Sequence, residues 1–177
     1  MREKCESCNR KVPGYDLVAL NGVSICSDCL RELISNLIGA EIDSLPVKKL
    51  RVKDCENKTH TFFIQHTLLP AGQQLRAFEL NKEGYPDGYI FSALGDYEEE
   101  MESLFEKLLR KIKAGLATKY LESFEGQFHI KNDEVAGRVE YQSSEESTGP
   151  DVVIDGKRFS WEEFGRMVYT FEGWNFK

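Results

Sequence analysis

Four cysteines set the strongest constraint on this chain: Cys5 and Cys8 form one Cys-x2-Cys pair, Cys26 and Cys29 a second, and seventeen residues separate the pairs. A two-residue gap lets both sulfurs of a pair turn toward one point, and two such pairs supply four thiolates at about 2.3 Å from a shared Zn2+. Four thiolates close a tetrahedral shell and leave no position for water or substrate. The spacing therefore predicts a structural zinc site with Cys5, Cys8, Cys26 and Cys29 as ligands, and argues against catalysis at the metal. Cys55 stands apart from the set. The N-terminal Met-Arg-Glu-Lys-Cys-Glu is charged and lacks the apolar run of a secretory signal, so a cytoplasmic location is expected, where ligation is favoured over disulfides.

Between the pairs, Leu17–Leu20 and Val23–Ile25 flank Asn21-Gly22, which reads as a hairpin closed by a type I′ turn. The second pair leads straight into a helix, with Ser27 or Asp28 as its cap. Leu30, Leu33, Ile34, Leu37 and Ile38 recur at helical spacing before Gly39 ends it. Pair, hairpin, pair, helix is the order of a treble clef. In this stretch the chain resembles the N-terminal zinc-binding domain of the ClpX-type unfoldases: Cys5, Cys8, Ile25, Cys26 and Cys29 occupy the same order, over about the first 40 residues. The resemblance implies a unit that dimerises and receives substrates or adaptors, through the face carrying Leu30 to Ile38. No Gly-x4-Gly-Lys-Ser/Thr loop follows, so the ATPase motor of that family is absent. Two plainer readings stand beside these: the zinc staples a unit too small to hold a core alone, and the helix stripe packs on the rest of the chain.

Charge weighs against nucleic acid. The net charge is -7; residues 1–60 hold 10 basic and 9 acidic groups, residues 61–177 hold 13 and 21. Without a basic surplus, the phosphate neutralisation behind non-specific DNA or RNA affinity has no source. Only a local convergence of Arg2, Lys4, Arg10, Lys11 and Arg31 around the metal would supply one.

Overall the expected class is α+β: a zinc-binding unit over 1–41, a connector through Pro46, and an α+β domain over 47–177. That domain is expected to hold strands over about 47–94, a long amphipathic helix over about 97–121, hairpins over about 127–159 and a shorter C-terminal helix over about 161–171. Asp96 and Glu99 form a capping-box pattern for the long helix, whose stripe runs Tyr97, Met101, Leu104, Phe105, Leu108, Leu109, Ile112, Leu116 and Tyr120. The second half is read as a hairpin of 127–131 with 138–142, a loop over 143–149, a tight hairpin at Asp155-Gly156, and a last helix capped by Ser160. Trp161, Phe164, Met167, Val168 and Phe171 are its expected buried side, and the tail Trp174–Phe176 is expected to dock on the sheet. The segments Asp155–Lys157, Trp161–Gly165 and Glu172–Trp174 also resemble the C-terminal pattern of uncharacterised bacterial proteins, a resemblance that brings no activity with it.

Several residues imitate sites. Cys55 and His60 look like half of a second metal site, but a closed shell would need carboxylates as well. His66 lies on the apolar face of a predicted strand with no nucleophile or acid placed beside it by spacing, and reads as a hydrogen-bonded filler. Asp151, Asp155 and Lys157 imitate a metal-dependent nuclease, although Asp-Gly has a sufficient explanation as a turn. No phosphate loop, Gly-x-Ser-x-Gly elbow or His-Glu-x2-His is present, so enzyme chemistry lacks a starting residue. The leading expectation is a zinc-binding protein–protein interaction or adaptor module, with a nucleic-acid-associated zinc-finger factor as the alternative and a metal-assisted hydrolase as a third class.

Overall fold

The structure, a computed structural model, describes residues 2–39, 45, 47–141 and 149–173, without the Ile38 side chain. Among these residues it is α+β, with three helices and antiparallel sheets, and the chain divides into two compact units, Met1–Leu116 and Ala117–Lys177. The expected connector around Glu41–Pro46, the loop 143–149 and the tail Trp174–Phe176 lie wholly or mostly outside the described residues. Among the described residues, no helix is long and apolar enough to cross a membrane.

The first unit opens with β1 (Arg2–Lys4) paired antiparallel to β2 (Lys11–Pro13). A 3-10 turn at Gly14–Asp16 leads into β3 (Leu17–Leu20), which pairs with β4 (Val23–Cys26). Asn21 and Gly22 join them with φ of 51° and 83°, the double left-handed geometry of a type I′ turn. Helix α1 (Ser27–Ile38) follows without a break and ends at Gly39, whose left-handed φ of 68° lets its N–H reach the Ser35 carbonyl. Its cap differs from the expectation: the N-cap is Cys26, and neither Ser27 nor Asp28 fills that place. The backbone is still extended at Cys26 because the residue closes β4, so the helix starts one position earlier, and the Ser27 hydroxyl donates instead to Asp16.

Beyond α1, β5 (Lys49–Lys53), β6 (Thr59–Leu69), β7 (Gly72–Leu80) and β8 (Pro86–Gly95) form a four-stranded antiparallel meander in sequence order. Alternation in β6 buries His60, Phe62, Ile64 and His66 on one face. Against the sheet packs α2 (Met101–Leu116), whose Met101, Leu104, Leu108, Ile112 and Leu116 meet Phe62, Ile64, Leu75, Ala77, Tyr89 and Ala93. The helix is shorter than the expected 97–121. At its start, the Glu99 N–H donates to the Asp96 carbonyl as a separate turn, and the Glu99 carboxylate turns forward to Ser103 and Lys107 rather than back to cap Asp96. At its end, the Leu116 carbonyl accepts from the Cys55 N–H at 3.0 Å. Tyr97 and Tyr120 therefore lie outside it.

In the second unit β9 (Leu121–Phe124) pairs with β10 (Gln127–Ile130). A three-stranded sheet follows, in which β11 (Arg138–Glu140), β12 (Asp151–Ile154) and β13 (Lys157–Phe159) pair in order. This corrects the expected hairpin of 127–131 with 138–142. Glu125 and Gly126 take φ of 49° and 80° and fold β10 back on β9, a strand hidden by extending the long helix to 121. The Asp155-Gly156 turn is as expected, with φ of 51° and 72°. Ser160 caps α3 (Trp161–Tyr169) in a reciprocal box with Glu163. Its expected buried side is only partly realised. Phe164 and Met167 lean on Leu121, Val152, Ile154 and Phe159, whereas Trp161 and Val168 are exposed.

Candidate metal centre

Two turns bring the four cysteines together. Cys5 follows β1, and the Asn9 N–H returns to the Cys5 carbonyl at 2.9 Å, with Asn9 itself at φ 62°. That tight turn carries Cys8 back beside Cys5. Cys26 closes β4 and Cys29 sits one turn into α1, so a strand-to-helix junction presents the second pair. The four Sγ atoms all lie within 4.8 Å of one another; Cys5 is 3.9 Å from Cys29 and Cys8 is 3.9 Å from Cys26. Such a cluster could hold a metal ion, and it is the one group of at least three His, Cys, Asp or Glu ligand atoms so placed among the described residues. Cys5 and Cys26 are buried while Cys8 and Cys29 are partly open.

Hydrogen-bond donors point at the sulfurs, as a set of thiolates requires. The Cys26 N–H donates to Cys5 Sγ at 3.2 Å, and Arg10 Nε donates to Cys8 Sγ at 3.3 Å. The Cys8 backbone N–H draws the Cys5 thiol down to about 6, and the Arg10 guanidinium lowers Cys8. Burial acts the other way on the second pair, pushing Cys26 up to about 12 and raising Cys29. Removing the remaining protons is what a bound cation would do.

Around this cluster the charge is organised by Asp28, in the first turn of α1. Arg10, Arg31 and Lys48 each place a nitrogen 3.6 Å from its carboxylate. Of the five basic residues whose convergence would be needed for a basic face, Arg10 and Arg31 meet at Asp28, while Arg2, Lys4 and Lys11 lie on the β1–β2 hairpin. Lys48 joins from the start of the sheet, a contribution that sequence spacing does not reveal. The α1 stripe divides: Leu30 and Ile34 pack on the cysteine cluster with Val12, Leu17, Val18 and Ile25, while Leu33 and Leu37 face outward, Leu37 at 75% exposure.

The other candidate residues are committed elsewhere. Cys55 is exposed and forms no site with His60. His60 is buried between two acids, with Nε2 3.0 Å from Asp54 and Nδ1 2.9 Å from Glu79. Asp54 also accepts the Glu56 and Lys58 N–H groups, and Glu79 accepts from Tyr89, so the network ties the β5–β6 turn to β7 and β8. His66 Nε2 lies 3.0 Å from Gln73 Oε1, and the Gln73 amide donates to the carbonyls of Asp96 and Glu99. Because both amide hydrogens are used, Oε1 must accept and the His66 proton sits on Nε2. Burial holds the His66 pKa below its ordinary value. Asp155 accepts the N–H groups of Tyr120 and Leu121, each at 2.9 Å, and Asp151 pairs with Arg158. Lys157 lies over the Phe128 ring, 3.9 Å from its centre. The nuclease-like trio is a turn, an ion pair and a cation–π contact rather than convergent ligands.

Residues 43–117 match the model of a family described as a domain of unknown function, DUF7686, and residues 119–177 match that of a second, DUF7713. The junction between the two matches falls beside the division between Leu116 and Ala117, and neither match reaches the four cysteines. No curated protein and no solved structure matches the chain.

Proposed function

We propose that the chain is a cytoplasmic zinc-binding adaptor, in which one structural Zn2+ closes a treble-clef unit and the outward face of α1 receives a protein partner. The observation that carries the metal is the sulfur geometry. A tetrahedral ion with Zn–S bonds of about 2.3 Å sets its ligands about 3.8 Å apart; Cys5–Cys29 and Cys8–Cys26 are each 3.9 Å apart, and all four sulfurs lie within 4.8 Å of one another. An all-sulfur set selects Zn2+ over hard cations such as Mg2+ and Ca2+. With four cysteine ligands the metal has no open position, so its contribution is folding free energy rather than Lewis-acid chemistry.

The adaptor reading rests on the divided helix. Leu30 and Ile34 belong to the metal-held core, which frees Leu33 and Leu37, four residues apart on one face, for a partner. The resemblance to the ClpX-type zinc domain agrees with this use. The nucleic-acid alternative is weakened because Arg10, Arg31 and Lys48 are gathered on Asp28. In affinity purification of the full chain from its native cell, Leu33→Glu with Leu37→Glu is expected to lose co-purifying protein while retaining metal. Retention of the same partners by that variant contradicts the α1 surface, and loss of metal together with partners assigns the stripe to folding instead.

A further inference from the structure

The second unit holds a concavity of its own. It measures about 570 Å³ and is lined by Gly126 to His129 on one side, and by Arg158, Phe159, Glu163, Arg166, Met167 and Thr170 on the other. That size falls within the roughly 300–1,000 Å³ of ordinary ligand sites. Its apolar part is Phe128, Phe159 and Met167, with Phe128 and Phe159 in edge-to-face contact at 5.6 Å.

Strand β10 decides what such a groove can take. Gln127, Phe128 and His129 are consecutive, and consecutive strand residues point to opposite faces. A cavity that touches all three borders the strand's edge rather than one of its faces. Within the hairpin, the two-residue Glu125-Gly126 turn makes Phe124 and Gln127 a hydrogen-bonded pair, and the same pattern recurs at Glu122 with His129. The Lys131 N–H to the Tyr120 carbonyl, 2.8 Å, continues it. By alternation the backbone groups of Phe128 and Ile130 point away from β9. Strand β10 has no second neighbour in its sheet, so among the described residues the edge they form is unpaired by any strand. An unpaired edge is a template for one more strand.

Charge then selects the partner. Residues 117–177 carry 7 lysines and arginines and 12 acidic groups, yet the groove gathers Arg158 and Arg166 against Glu163 alone. Glu163 is held by the Ser160 cap and Arg158 by Asp151 and Glu140. Arg166 has no ion-pair partner among the described residues, so its charge is available to a ligand. We infer that the groove between β10 and α3 binds an extended acidic peptide segment, which adds as a strand along Phe128–Ile130, sets an apolar side chain on Phe128, Phe159 and Met167, and places a carboxylate at Arg166.

The test uses the full chain and fluorescein-labelled Glu-Phe-Asp-Val-Glu, followed by anisotropy, with amide shifts read by NMR. Saturable binding is expected, with the largest shifts at the Phe128 and Ile130 amides. Arg166→Glu should weaken it by roughly tenfold, and that variant should prefer the same peptide with lysines in place of its acids. Methylating alternate peptide nitrogens should abolish binding, because the added strand then lacks its donors. The inference is overturned by no saturation, by equal binding of the N-methylated peptide, by equal binding to Arg166→Glu that has an unchanged melting curve, or by shifts confined to surfaces away from β10 and α3.

Discussion

Arg10 donates its Nε hydrogen to Cys8 Sγ at 3.3 Å while Nη2 lies 3.6 Å from Asp28, so one guanidinium links a cysteine of the first pair to the helix that carries the second. Four thiolates on a divalent cation leave an excess of two negative charges, and the guanidinium sits where it offsets part of that excess. Replacing a hydrogen-bond partner of a metal ligand ordinarily costs about 10- to 100-fold in metal affinity. Arg10→Gln is therefore expected to release zinc at roughly tenfold lower concentration of a competing chelator, with the cysteines intact. Unchanged chelator competition would reduce Arg10 to a surface residue.

His66 makes a prediction about acid. Its folded pKa is lowered by burial, so between about 6.5, the ordinary unfolded value, and the lower folded value, the unfolded chain binds the proton more readily. Stability attached to His66 is complete above about pH 6.5 and is lost as the pH falls toward the folded value. Glu99, lowered by its bond from Lys107, acts in a separate and more acidic window, below its ordinary carboxylate value. Urea unfolding at a series of pH values is expected to show a loss as the pH falls below about 6.5 that is smaller in His66→Gln. Equal slopes in both chains would contradict the buried neutral ring.

Gly115 sits where α2 meets β8, and a Cβ there would overlap the Phe91 ring edge. Helix propensity alone would make Gly115→Ala stabilising by about 1 kcal/mol. Overpacking against a ring typically costs about 1–3 kcal/mol, so the net effect is expected to be destabilising. Thermal melts of Gly115→Ala, alone and with Phe91→Leu, check this, because removing the ring should turn the alanine favourable. A stabilised single variant would mean that the α2–β8 contact is looser than described.

Legibility in the sequence followed the range of the interaction. The cysteine spacing, the Asn21-Gly22 and Asp155-Gly156 turns and the Ser160–Glu163 box depend on residues close together in the chain, and each appears where the pattern puts it. The β9–β10 turn was not legible because Glu125 is a poor signal for a left-handed residue, although Gly126 beside it is a good one. Asp96 and Glu99 have the spacing of a capping box, but Lys107 and Ser103 attract the glutamate forward. The Asp54–His60–Glu79 network and the Asp28 cluster join residues from separate elements, and no local spacing encodes such meetings. For α1, periodicity gives the stripe but not its division, since only the place of the cysteine cluster decides that Leu30 and Ile34 turn inward while Leu33 and Leu37 do not.

The most direct measurement is the metal content of the purified full chain, by elemental mass spectrometry together with thiol titration before and after a chelator. One zinc per chain is expected, with Cys55, the exposed cysteine, reacting at once and four more thiols reacting only after the metal is stripped. Cys26→Ser should lose the zinc. A chain that purifies without metal and exposes all five thiols from the start, or a Cys26→Ser variant that keeps its full zinc content, would contradict the site.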